Sequence, residues 1–235
     1  MAETFDFDPS DIDFNAFYQR RSPAPGLPAL GTVPWDIGEA QPFVIELERE
    51  GRFAGKVLDI GCGLGDNAIF LAGKGYQVTG VDVAPTAVEE ARRRARARDA
   101  AVDFAVGDAL DLRDYQDATF DTVLDSGLYH CLAKAQRLTY LRTLHRVTGA
   151  QARLNLMCFD TDLPPHIPAA MGVSEAQLRA TFGAANWSIS ELRTRTAVGA
   201  RYGDDEEGAF ARRMLSFGEN GQLRFSAWVV LASHT

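Results

Sequence analysis

The stretch VLDIGCGLG, from Val57 to Gly65, decides the fold of this chain. An apolar segment typical of a buried strand runs into Gly61, Gly63 and Gly65, and a segment with helical character follows at once. Glycine lets the backbone turn tightly and lets a ligand approach the main chain without a Cβ in the way. The first turn of the following helix presents unpaired N–H groups and a partial positive charge. The stretch therefore predicts a strand–loop–helix unit that binds a nucleotide-like ligand.

Segments with strand and helix character alternate along most of the chain. Strands are predicted at residues 56–60, 76–82, 102–108, 120–126, 153–159, 187–196 and 224–233. Helices are predicted at about 42–50, 66–75, 84–99, 134–147 and from a capping-box pattern at 174–177, with one helical piece inside 203–221. Strands that alternate with helices imply βαβ units, so the predicted fold class is α/β, a mainly parallel sheet with helices on both faces.

The size and charge of the chain limit the classes of partner. Its 235 residues fit one α/β domain, and 46% hydrophobic with 24% charged residues is the balance of a globular protein. The formal net charge of −8 argues against nucleic acid as the main partner, because such binding needs a positive field. No apolar run approaches the roughly 20 residues of a membrane-spanning helix. We therefore expect neither a nucleic-acid nor a membrane partner.

Cysteine usage and the first residues bear on the compartment. Cys62, Cys131 and Cys158 form no C-x-x-C pair and no even framework, which favours a reducing setting. The stretch MAETFDFDPSDIDF at the start is acidic and has neither the basic nor the apolar region of a secretory signal. The sequence therefore predicts a cytoplasmic protein.

Residues 1–31 are predicted to form an N-terminal arm and residues 32–235 the main domain. The arm ends in RRSPAPGLPALG, whose three prolines preclude a long helix. Aromatic residues alternate with carboxylates in its first part, and disordered tails are poor in aromatics, so we expect part of the arm to pack on the domain. By topology, Phe14, Phe17 and Tyr18 are predicted to form a lid, with Tyr18 in contact with the substrate.

Two classes of ligand compete for the glycine loop. A dinucleotide-binding fold favours G-x-G-x-x-G/A, with close packing at the third glycine. Counted from Gly61, that third position is Asp66, and a carboxylate is a poor neighbour for a pyrophosphate. Asp59, two residues before Gly61, suits a ligand that carries positive charge. S-adenosylmethionine (SAM) has a sulfonium and an amino group and no phosphate, so the loop favours SAM over NAD.

Carboxylates stand near the carboxyl ends of four predicted parallel strands, which is where open α/β sheets bind ligands. Asp82, at the end of the strand that follows the glycine loop, can accept hydrogen bonds from both ribose hydroxyls, and Asp108 is well placed for the adenine edge. The alternative for any one of them is a turn or a helix cap. Four such carboxylates at corresponding strand ends together favour a ligand site. They are Asp59, Asp82, Asp108 and Asp125.

At these motifs the chain resembles the class I SAM-dependent methyltransferases. The similarity covers roughly residues 34–159 and includes VLDIGCGLG, GVDVAPTAVEEA, FAVGDALDL and FDTVLDSGLYH. The resemblance implies a Rossmann-like, seven-stranded, mainly parallel sheet with an antiparallel last strand. It also implies a set of cofactor-binding residues: Gly61 and Gly63 against the methionine part, Asp82 at the ribose with its neighbour Val83, and Asp108 with Ala109 beside the adenine.

A narrower resemblance lies upstream of the glycine loop. VPWDIGEAQP, from Val33 to Pro42, is similar to the W-D-x-G-x-x-x-P segment of the thiopurine, thiol and halide methyltransferases, and of bacterial heterocyclic toxin methyltransferases. In that branch the segment closes over the cofactor, which makes Trp35 a candidate wall of the cofactor site. The alternative is that Trp35 only anchors the arm to the core, because aromatic side chains often serve as packing.

The acceptor of the methyl group is predicted to lie beside the loop SGLYHCL. His130 is the candidate general base, because an unperturbed imidazole has a pKa of about 6.5, near working pH. The alternative is a histidine that only satisfies backbone groups of the loop. Tyr129 and Phe159 are predicted to contact the acceptor, and the proline-rich loop 159–172 to line its pocket. His145 lies near the C-terminus of its predicted helix, where we expect it to interact favourably with the helix dipole.

The arginine-rich run ARRRARAR, at residues 91–98, is interpreted as a solvated helix face. Glu89 and Glu90 precede it and can pair with Arg93 and Arg94 at i,i+4 spacing. No histidine and cysteine cluster with zinc spacing is present, so no metal site is predicted.

The sequence as a whole predicts a SAM-dependent methyltransferase that acts on a small molecule, through an aromatic hydroxyl, a ring nitrogen or a thiol. A thiol is partly ionised at neutral pH and needs little help, whereas a phenol benefits more from a base. Two alternatives remain, a NAD-dependent oxidoreductase and a non-catalytic binding module on a methyltransferase fold.

Overall fold

The computed structural model describes residues 11–164, 167–218 and 220–234 of the chain. Two aromatic residues predicted to help the arm pack, Phe5 and Phe7, lie outside the described residues, as does His166 of the proline-rich loop.

Seven strands form one sheet in the order β3-β2-β1-β4-β5-β7-β6. Strands β1 to β5 pair in parallel, and β7 is antiparallel to both of its neighbours, β5 and β6. The predicted sheet, mainly parallel with an antiparallel last strand, is confirmed. The strand bounds are β1 Lys56–Ile60, β2 Gln77–Asp82, β3 Val102–Val106, β4 Phe120–Ser126, β5 Thr148–Phe159, β6 Trp187–Arg201 and β7 Gln222–His234.

Helices alternate with the strands as predicted. Pro42 and Pro85 occupy first-turn positions, where a missing N–H costs nothing, and Ser174 and Gln177 form the predicted capping box. The helix bounds are α1 Phe14–Tyr18, α2 Pro42–Arg49, α3 Asp66–Gly73, α4 Pro85–Ala97, α5 Arg137–Val147, α6 Glu175–Ala184 and α7 Glu206–Met214.

The sheet has a hydrophobic core on each face, because successive side chains of a strand point to opposite sides. On β1, Leu58 and Ile60 belong to the core that α5 and α6 cover, and Val57 belongs to the core that α2, α3 and α4 cover. Burial of both faces explains why the parallel strands are continuous apolar runs. Parallel pairing places the carboxyl ends of β1, β2, β4 and β5 at one edge of the sheet.

The last two strands extend beyond that carboxyl edge. Phe159, the last residue of β5, pairs with Ala227, so β7 from Gln222 to Ser226 has only β6 as a neighbour. Helix α7 packs at the tip, where Tyr202, Ala211 and Leu223 contribute to a small separate core. Residues 203–221, predicted as a loop with one helical piece, thus form the tip of an extension next to the carboxyl edge.

The segment between the arm and α2 lies along β6. The backbone N–H of Ala200 donates to the carbonyl oxygen of Pro34 at 2.7 Å, and the side-chain amide of Gln41 donates to the carbonyl oxygen of Val198 at 3.1 Å. At the other end of this segment, the Thr32 N–H donates to the Glu207 carboxylate of α7 at 2.9 Å. Residues 32–41 are therefore attached to the extension as well as to the sheet.

Two local features of the structure were not expected from the sequence. Strand β5 begins at Thr148 rather than near Arg153, and pairs with β4 across an irregularity at 120–122. His145 stacks on His234 with ring centroids 3.9 Å apart, a tertiary contact that its helical pattern did not indicate. Within the described residues, no helix is long and apolar enough to span a membrane, and no group of side chains suits a metal ion.

Candidate active site

The glycine loop turns as the sequence predicts. Gly61, Gly63 and Gly65 have φ values of +70°, +51° and +84°, a region that favours glycine. A Cβ on Gly61 would lie 2.9 Å from the Cβ of Leu128 in the loop after β4. The glycine loop and the loop that carries His130 are therefore in direct contact, so the predicted cofactor and acceptor sides of the site are adjacent.

Asp82 connects the end of β2 to the glycine loop. Its Oδ2 accepts a hydrogen bond from the Gly63 N–H at 2.8 Å, and its Oδ1 accepts one from the Ala84 N–H at 2.9 Å. Burial raises the pKa of this carboxyl, and the backbone donors Ala84, Gly63 and Val83 act in the opposite direction. Each oxygen keeps a second lone pair, so the carboxylate is held in place and can still accept hydrogen bonds from a ribose.

Asp59 is a buried carboxyl without a hydrogen-bond partner among the described residues. Its exposed fraction is 0%, and neither oxygen meets hydrogen-bond geometry, although the Ala68 N–H faces the group. Burial, together with the carboxylates of Asp125 and Asp82, raises its pKa to about 8. A buried unpartnered carboxyl costs free energy unless a cation or a donor reaches it.

Asp125, predicted to contact the cofactor, is engaged by hydrogen bonds within the protein. Its Oδ1 accepts from the backbone N–H groups of Gly127 and Leu128 at 3.1 and 2.7 Å, with Tyr129 at 3.4 Å. Its Oδ2 accepts from the Tyr140 hydroxyl at 2.7 Å. The fully buried carboxyl has a pKa of about 6, raised by burial. Asp125 orders the loop after β4, which is the turn role that the sequence left as the alternative.

The residues predicted at the adenine lie in the open part of the edge. Asp108 is exposed, and its Oδ1 accepts from the Leu110 N–H at 2.9 Å, while Ala109 is half-buried. Val83 and Val106 are 59% and 48% exposed, which is unusual for large apolar side chains. Apolar side chains left open beside an acceptor-rich carboxylate suit a flat heterocycle with polar edges.

The arm lies across the glycine loop. The Trp35 Nε1–H donates to the Tyr18 hydroxyl at 3.0 Å, and a Cβ on Gly63 would lie 3.0 Å from that hydroxyl oxygen. Phe14 and Phe17 pack on the Trp35 ring at centroid distances of 6.1 and 4.9 Å. Trp35 remains 37% exposed. Tyr18, predicted to contact the acceptor, thus lies on the cofactor side of the site.

The arm is also attached to the start of α4. The Thr86 N–H, in the first turn of that helix, donates to the Asn15 side-chain oxygen at 3.0 Å. The Gln19 side-chain amide donates to the Thr86 hydroxyl at 3.2 Å. Between the arm and α4 lies a cleft of about 630 Å³ whose wall includes Phe17, Tyr18 and Leu64. The arm therefore spans the glycine loop and the helix that follows Asp82.

Arg94 is a residue that the sequence analysis missed. Its guanidinium forms a bidentate pair with Asp36 at 3.0 and 2.8 Å, and it pairs with Asp66 of α3 at 2.5 Å. Glu90 accepts from both Arg93 and Arg94, and Arg98 also pairs with Asp66. The interpretation of this run as a solvated face is therefore wrong for Arg94. The carboxylate of Asp66 pairs with the guanidinium groups of Arg94 and Arg98. Only the i,i+4 pair of Glu90 with Arg94 was foreseen.

His130 is buried at the acceptor side, with 8% of its surface exposed. The Phe159 N–H donates to its Nδ1 at 3.4 Å, and the imidazole stacks on the Phe159 ring with centroids 3.8 Å apart. Burial, and then the positive charge of Arg137, lowers its pKa to about 3. So low a pKa makes the imidazole a weak base at neutral pH. The low pKa of His130 therefore argues against its predicted role as a general base.

Tyr129, predicted to contact the acceptor, lies inside the core. Its side chain is fully buried among Tyr140 and Phe182, with the guanidinium of Arg137 5.3 Å from its ring centroid. Phe159, in contrast, is half-buried at the carboxyl edge, as predicted, and its ring lies 5.1 Å from that of Phe225 on β7. The rings of His130, Phe159 and Phe225 form a continuous aromatic cluster there. Phe225 was assigned only to a strand, because sequence order gives no sign that β7 lies next to β5.

Comparisons with known proteins bear on this geometry. Residues 57–150, which hold the glycine loop and the carboxylates, match a family model described as a methyltransferase domain. A 2-heptyl-1-hydroxyquinolin-4(1H)-one methyltransferase from Mycobacteroides abscessus is 32% identical over 203 residues, covering 85% of this chain and 88% of that protein. The chain belongs to the class I SAM-dependent methyltransferases. It is therefore a methyltransferase with SAM as its cofactor, and the oxidoreductase alternative is set aside.

Solved structures agree with this assignment. A structure described for the conversion of a disulfide bond into a thioacetal group during echinomycin biosynthesis has a TM-score of 0.77 and 32% identity, covering 94% of this methyltransferase and 90% of that chain. The 1,6-didemethyltoxoflavin-N1-methyltransferase of Burkholderia thailandensis shares the fold, with a TM-score of 0.59 and 22% identity, covering 83% of this chain and 77% of that one.

The residues of this methyltransferase fit SAM. The buried, unpartnered carboxyl of Asp59 offers the negative charge that a cationic ligand requires. Above it, glycines leave the main chain bare, and Asp82 is fixed with free lone pairs at the end of β2. The fit is one of charge and of access to the backbone.

Proposed function

We propose that this methyltransferase acts on a small, flat, aromatic acceptor that presents a hydroxyl, a ring nitrogen or a thiol. The observation that carries the proposal is the aromatic cluster of His130, Phe159 and Phe225, next to the contact between the glycine loop and Leu128. Aromatic rings stack on flat ligands with a gain of about 0.5–1.5 kcal/mol beyond area burial. The identities of the acceptors named for the M. abscessus and B. thailandensis relatives, a hydroxyquinolone and a didemethyltoxoflavin, support an aromatic heterocycle.

The cofactor-binding residues of the proposal are those that line the glycine loop and the open edge. Gly61 and Gly63 would lie against the methionine part, Asp82 would hold the ribose, and Asp59 would lie beneath the positive charges. When bound, SAM supplies a methyl group on a positively charged sulfur, which makes the methyl carbon electrophilic. The protein's part is to hold the acceptor in line with that carbon, and orientation of this kind can supply up to about 7–11 kcal/mol of the barrier. The wall of the adenine site would comprise Val83, Asp108 and Ala109.

We further propose that the arm of residues 1–31 is a lid on the domain of residues 32–235. Support comes from Tyr18 and Trp35 above Gly63 and from the Asn15 contact with Thr86. A lid in this position excludes water from the cofactor and must move for cofactor exchange. Three unpaired cysteine thiols and the net charge of −8 support a cytoplasmic enzyme whose acceptor is a small molecule and not a nucleic acid.

A screen of phenols, thiols and N-heterocycles tests the proposed acceptor class. Release of S-adenosylhomocysteine (SAH) with at least one aromatic member is the expected result, and release only with peptides, nucleic acid or aliphatic compounds would contradict it. Any release also excludes the alternative of a non-catalytic binding module.

Asp82→Ala tests the ribose assignment. We expect SAM and SAH affinity to fall by about 10- to 100-fold, because two hydrogen bonds to a charged group are lost and the Gly63 N–H loses its acceptor. Calorimetry measures the change, with Asp103→Asn, an exposed carboxylate on β3, as the matched control. Unchanged affinity in Asp82→Ala would refute the assignment.

A further inference from the structure

A buried cation lies behind the acceptor side of the site. Arg137, at the start of α5, is 3% exposed. Its Nε donates to the Leu132 carbonyl oxygen at 3.2 Å, and its Nη2 donates to the Ala170 carbonyl oxygen at 3.1 Å. Across the described ranges, no carboxylate lies within ion-pair distance of this guanidinium. Backbone carbonyls hold the side chain in place without cancelling its charge, so a positive field persists in a poorly solvated region.

That field reaches the groups around the predicted acceptor position. Arg137 is the only charged side chain with a resolved effect on the pKa of His130, where it adds to the lowering that burial causes. It also acts to lower the pKa of Tyr129, of Cys131 and of Cys158, although burial raises all three. The opposing carboxylates are Asp125, Asp82 and Asp160. The charge that acts on His130 is thus positive, and it comes from Arg137.

The hydrogen bonds of His130 fix which proton it carries. Its Nδ1 accepts from the Phe159 N–H, and its pKa of about 3 keeps the ring neutral at neutral pH. A neutral imidazole whose Nδ1 is an acceptor carries its hydrogen on Nε2. No described residue accepts a hydrogen bond from Nε2, so His130 presents a donor.

The other titratable groups described around His130 form hydrogen bonds within the protein. The Cys131 thiol donates to the Gly127 carbonyl oxygen, and burial raises its pKa. Asp125 has both oxygens occupied. Asp160, the first residue after β5, is buried and accepts from the Ser226 hydroxyl and the Asp162 N–H. The acceptor side thus combines a hydrogen-bond donor, a cation, and carboxylates that are already hydrogen-bonded within the protein.

We propose that the enzyme binds its acceptor as an anion, held by the Nε2–H of neutral His130 and favoured by the field of Arg137. The inference rests on the proposed function and narrows it to acidic nucleophiles, such as N-hydroxy heterocycles, phenols and aromatic thiols, which give up their proton to solvent before transfer. A lone pair of the acceptor anion then forms the bond to the methyl carbon, the carbon–sulfur bond breaks with its electron pair left on sulfur, and the opposite charges cancel. His130 is a binding residue in this scheme, and Arg137 acts on the acceptor through its field.

The inference is tested first by the pH dependence of kcat/KM for the acceptor, measured with wild-type enzyme at saturating SAM over a series of substituted phenols and thiophenols of graded acidity. If the anion binds, the acid limb of each profile breaks at the ionisation of that acceptor and moves from one acceptor to the next. A single break at the same pH for every acceptor would indicate an enzyme base and would overturn the inference. In that case SAH release would persist, whereas failure of the proposed function would appear as no SAH release from any member of the series.

Two substitutions of His130 separate a donor from a base. His130→Gln can keep an N–H near the position of Nε2 but has no basic nitrogen, and His130→Phe keeps only the stacking on Phe159. We expect His130→Phe to lower kcat/KM at least about tenfold more than His130→Gln, in keeping with the loss of a hydrogen bond to a charged group. Equal losses would overturn the donor role. SAH affinity, measured by calorimetry, should stay near the wild-type value in both.

The field of Arg137 has a spectroscopic readout that does not depend on turnover. In the complex with SAH, para-nitrophenol reports by its absorbance whether it is bound as phenol or as phenolate. We expect the phenolate to bind at least about tenfold more tightly than the phenol, an advantage that Arg137→Lys retains and Arg137→Met reduces. Preferential binding of the neutral phenol by wild-type enzyme would overturn the inference, whether or not the variants fold.

Discussion

Three buried carboxyls under the glycine loop share an unusual property at the scale of single residues. Asp82 and Asp125 both raise the pKa of Asp59, and no described side chain pairs with any of the three as a cation. Backbone N–H groups donate hydrogen bonds to Asp82 and Asp125, and the Tyr140 hydroxyl donates a further one to Asp125. No described group donates to Asp59 within hydrogen-bond geometry. In the free enzyme a proton on Asp59 relieves the repulsion, and in the complex the positive charges of the cofactor can take over that role.

We expect SAM binding to release a proton from Asp59. The pKa of about 8 means that the group is mostly protonated at neutral pH in the free enzyme, and a nearby cation favours the charged form. Affinity should therefore rise with pH until about 8 and then level off. Calorimetry near pH 7 in buffers of different ionisation enthalpy should detect release of about one proton per SAM.

The variants for this experiment follow from the burial of the two side chains. Asp59→Asn should bring the release close to zero, whereas Asp103→Asn, on an exposed part of β3, should leave it unchanged. Proton uptake, or the same release in Asp59→Asn, would show that another group is responsible.

At the scale of elements, the cofactor side is assembled from pieces that are distant in the chain. Arg94 of α4 holds Asp36, next to Trp35, and Asp66, at the start of α3. Only 17% of the Arg94 side chain is exposed, and its bidentate pair with Asp36 fixes direction as well as distance. The segment that carries Trp35 is therefore held to α4 by the guanidinium of Arg94.

Arg94→Gln should lower the free energy of unfolding by about 2–4 kcal/mol, because it leaves partly buried carboxylates without their cation. SAM affinity should fall as well, since the segment with Trp35 loses its attachment to α4. Arg93→Gln is the control, because Arg93 is exposed and pairs only with Glu90 among the described residues, and solvent screens such a contact. Denaturant unfolding and calorimetry measure the two effects. Similar losses in both variants would show that Arg94 has no special part.

Across the whole molecule, buried acids and buried histidines oppose each other in the pH dependence of stability. Asp59 keeps its proton up to about pH 8 in the folded state, but loses it near 3.8 when unfolded. Its contribution to stability is therefore lost as pH rises through that range. His130 has a folded pKa of about 3 against 6.5 when unfolded, so its contribution is lost as pH falls below 6.5. Burial also lowers the pKa of His234, which stacks on His145.

The free enzyme should be more stable at about pH 6.5 than at pH 8, by about 1–2 kcal/mol, with a flatter dependence below pH 6.5. Between pH 6.5 and 8 the change in stability comes mainly from Asp59, because only the folded state keeps that proton. Each pH unit in which this holds changes the free energy of unfolding by at most about 1.4 kcal/mol. Urea unfolding at a series of pH values measures this, and Asp59→Asn should remove the upper slope. A steady rise in stability from pH 6.5 to 8 in wild-type enzyme would contradict the assignment.

The parts of the site that were predicted correctly depend on short stretches of chain. Glycines with positive φ between a buried strand and a helix, and Asp82 at the end of the next strand, can be recognised locally because turn geometry and strand periodicity are local. The parallel pairing of strands β1 to β5 follows because strands that alternate with helical crossovers can lie parallel. The same stretches carry the family resemblance, which the comparisons confirmed.

The roles of Asp125, Tyr129, Tyr18, Arg94 and His130 were decided by the tertiary structure. Each depends on an atom far away in the chain: Tyr140 takes an oxygen of Asp125, Trp35 holds Tyr18 over Gly63, and Arg137 acts on His130. The sequence by itself determined that SAM would be the cofactor, because glycines in a strand–loop–helix unit and carboxylates at strand ends can be recognised from short stretches of chain. Burial decided which carboxylates remain available and whether the histidine is a base, because desolvation depends on what packs around a group and not on its neighbours in sequence.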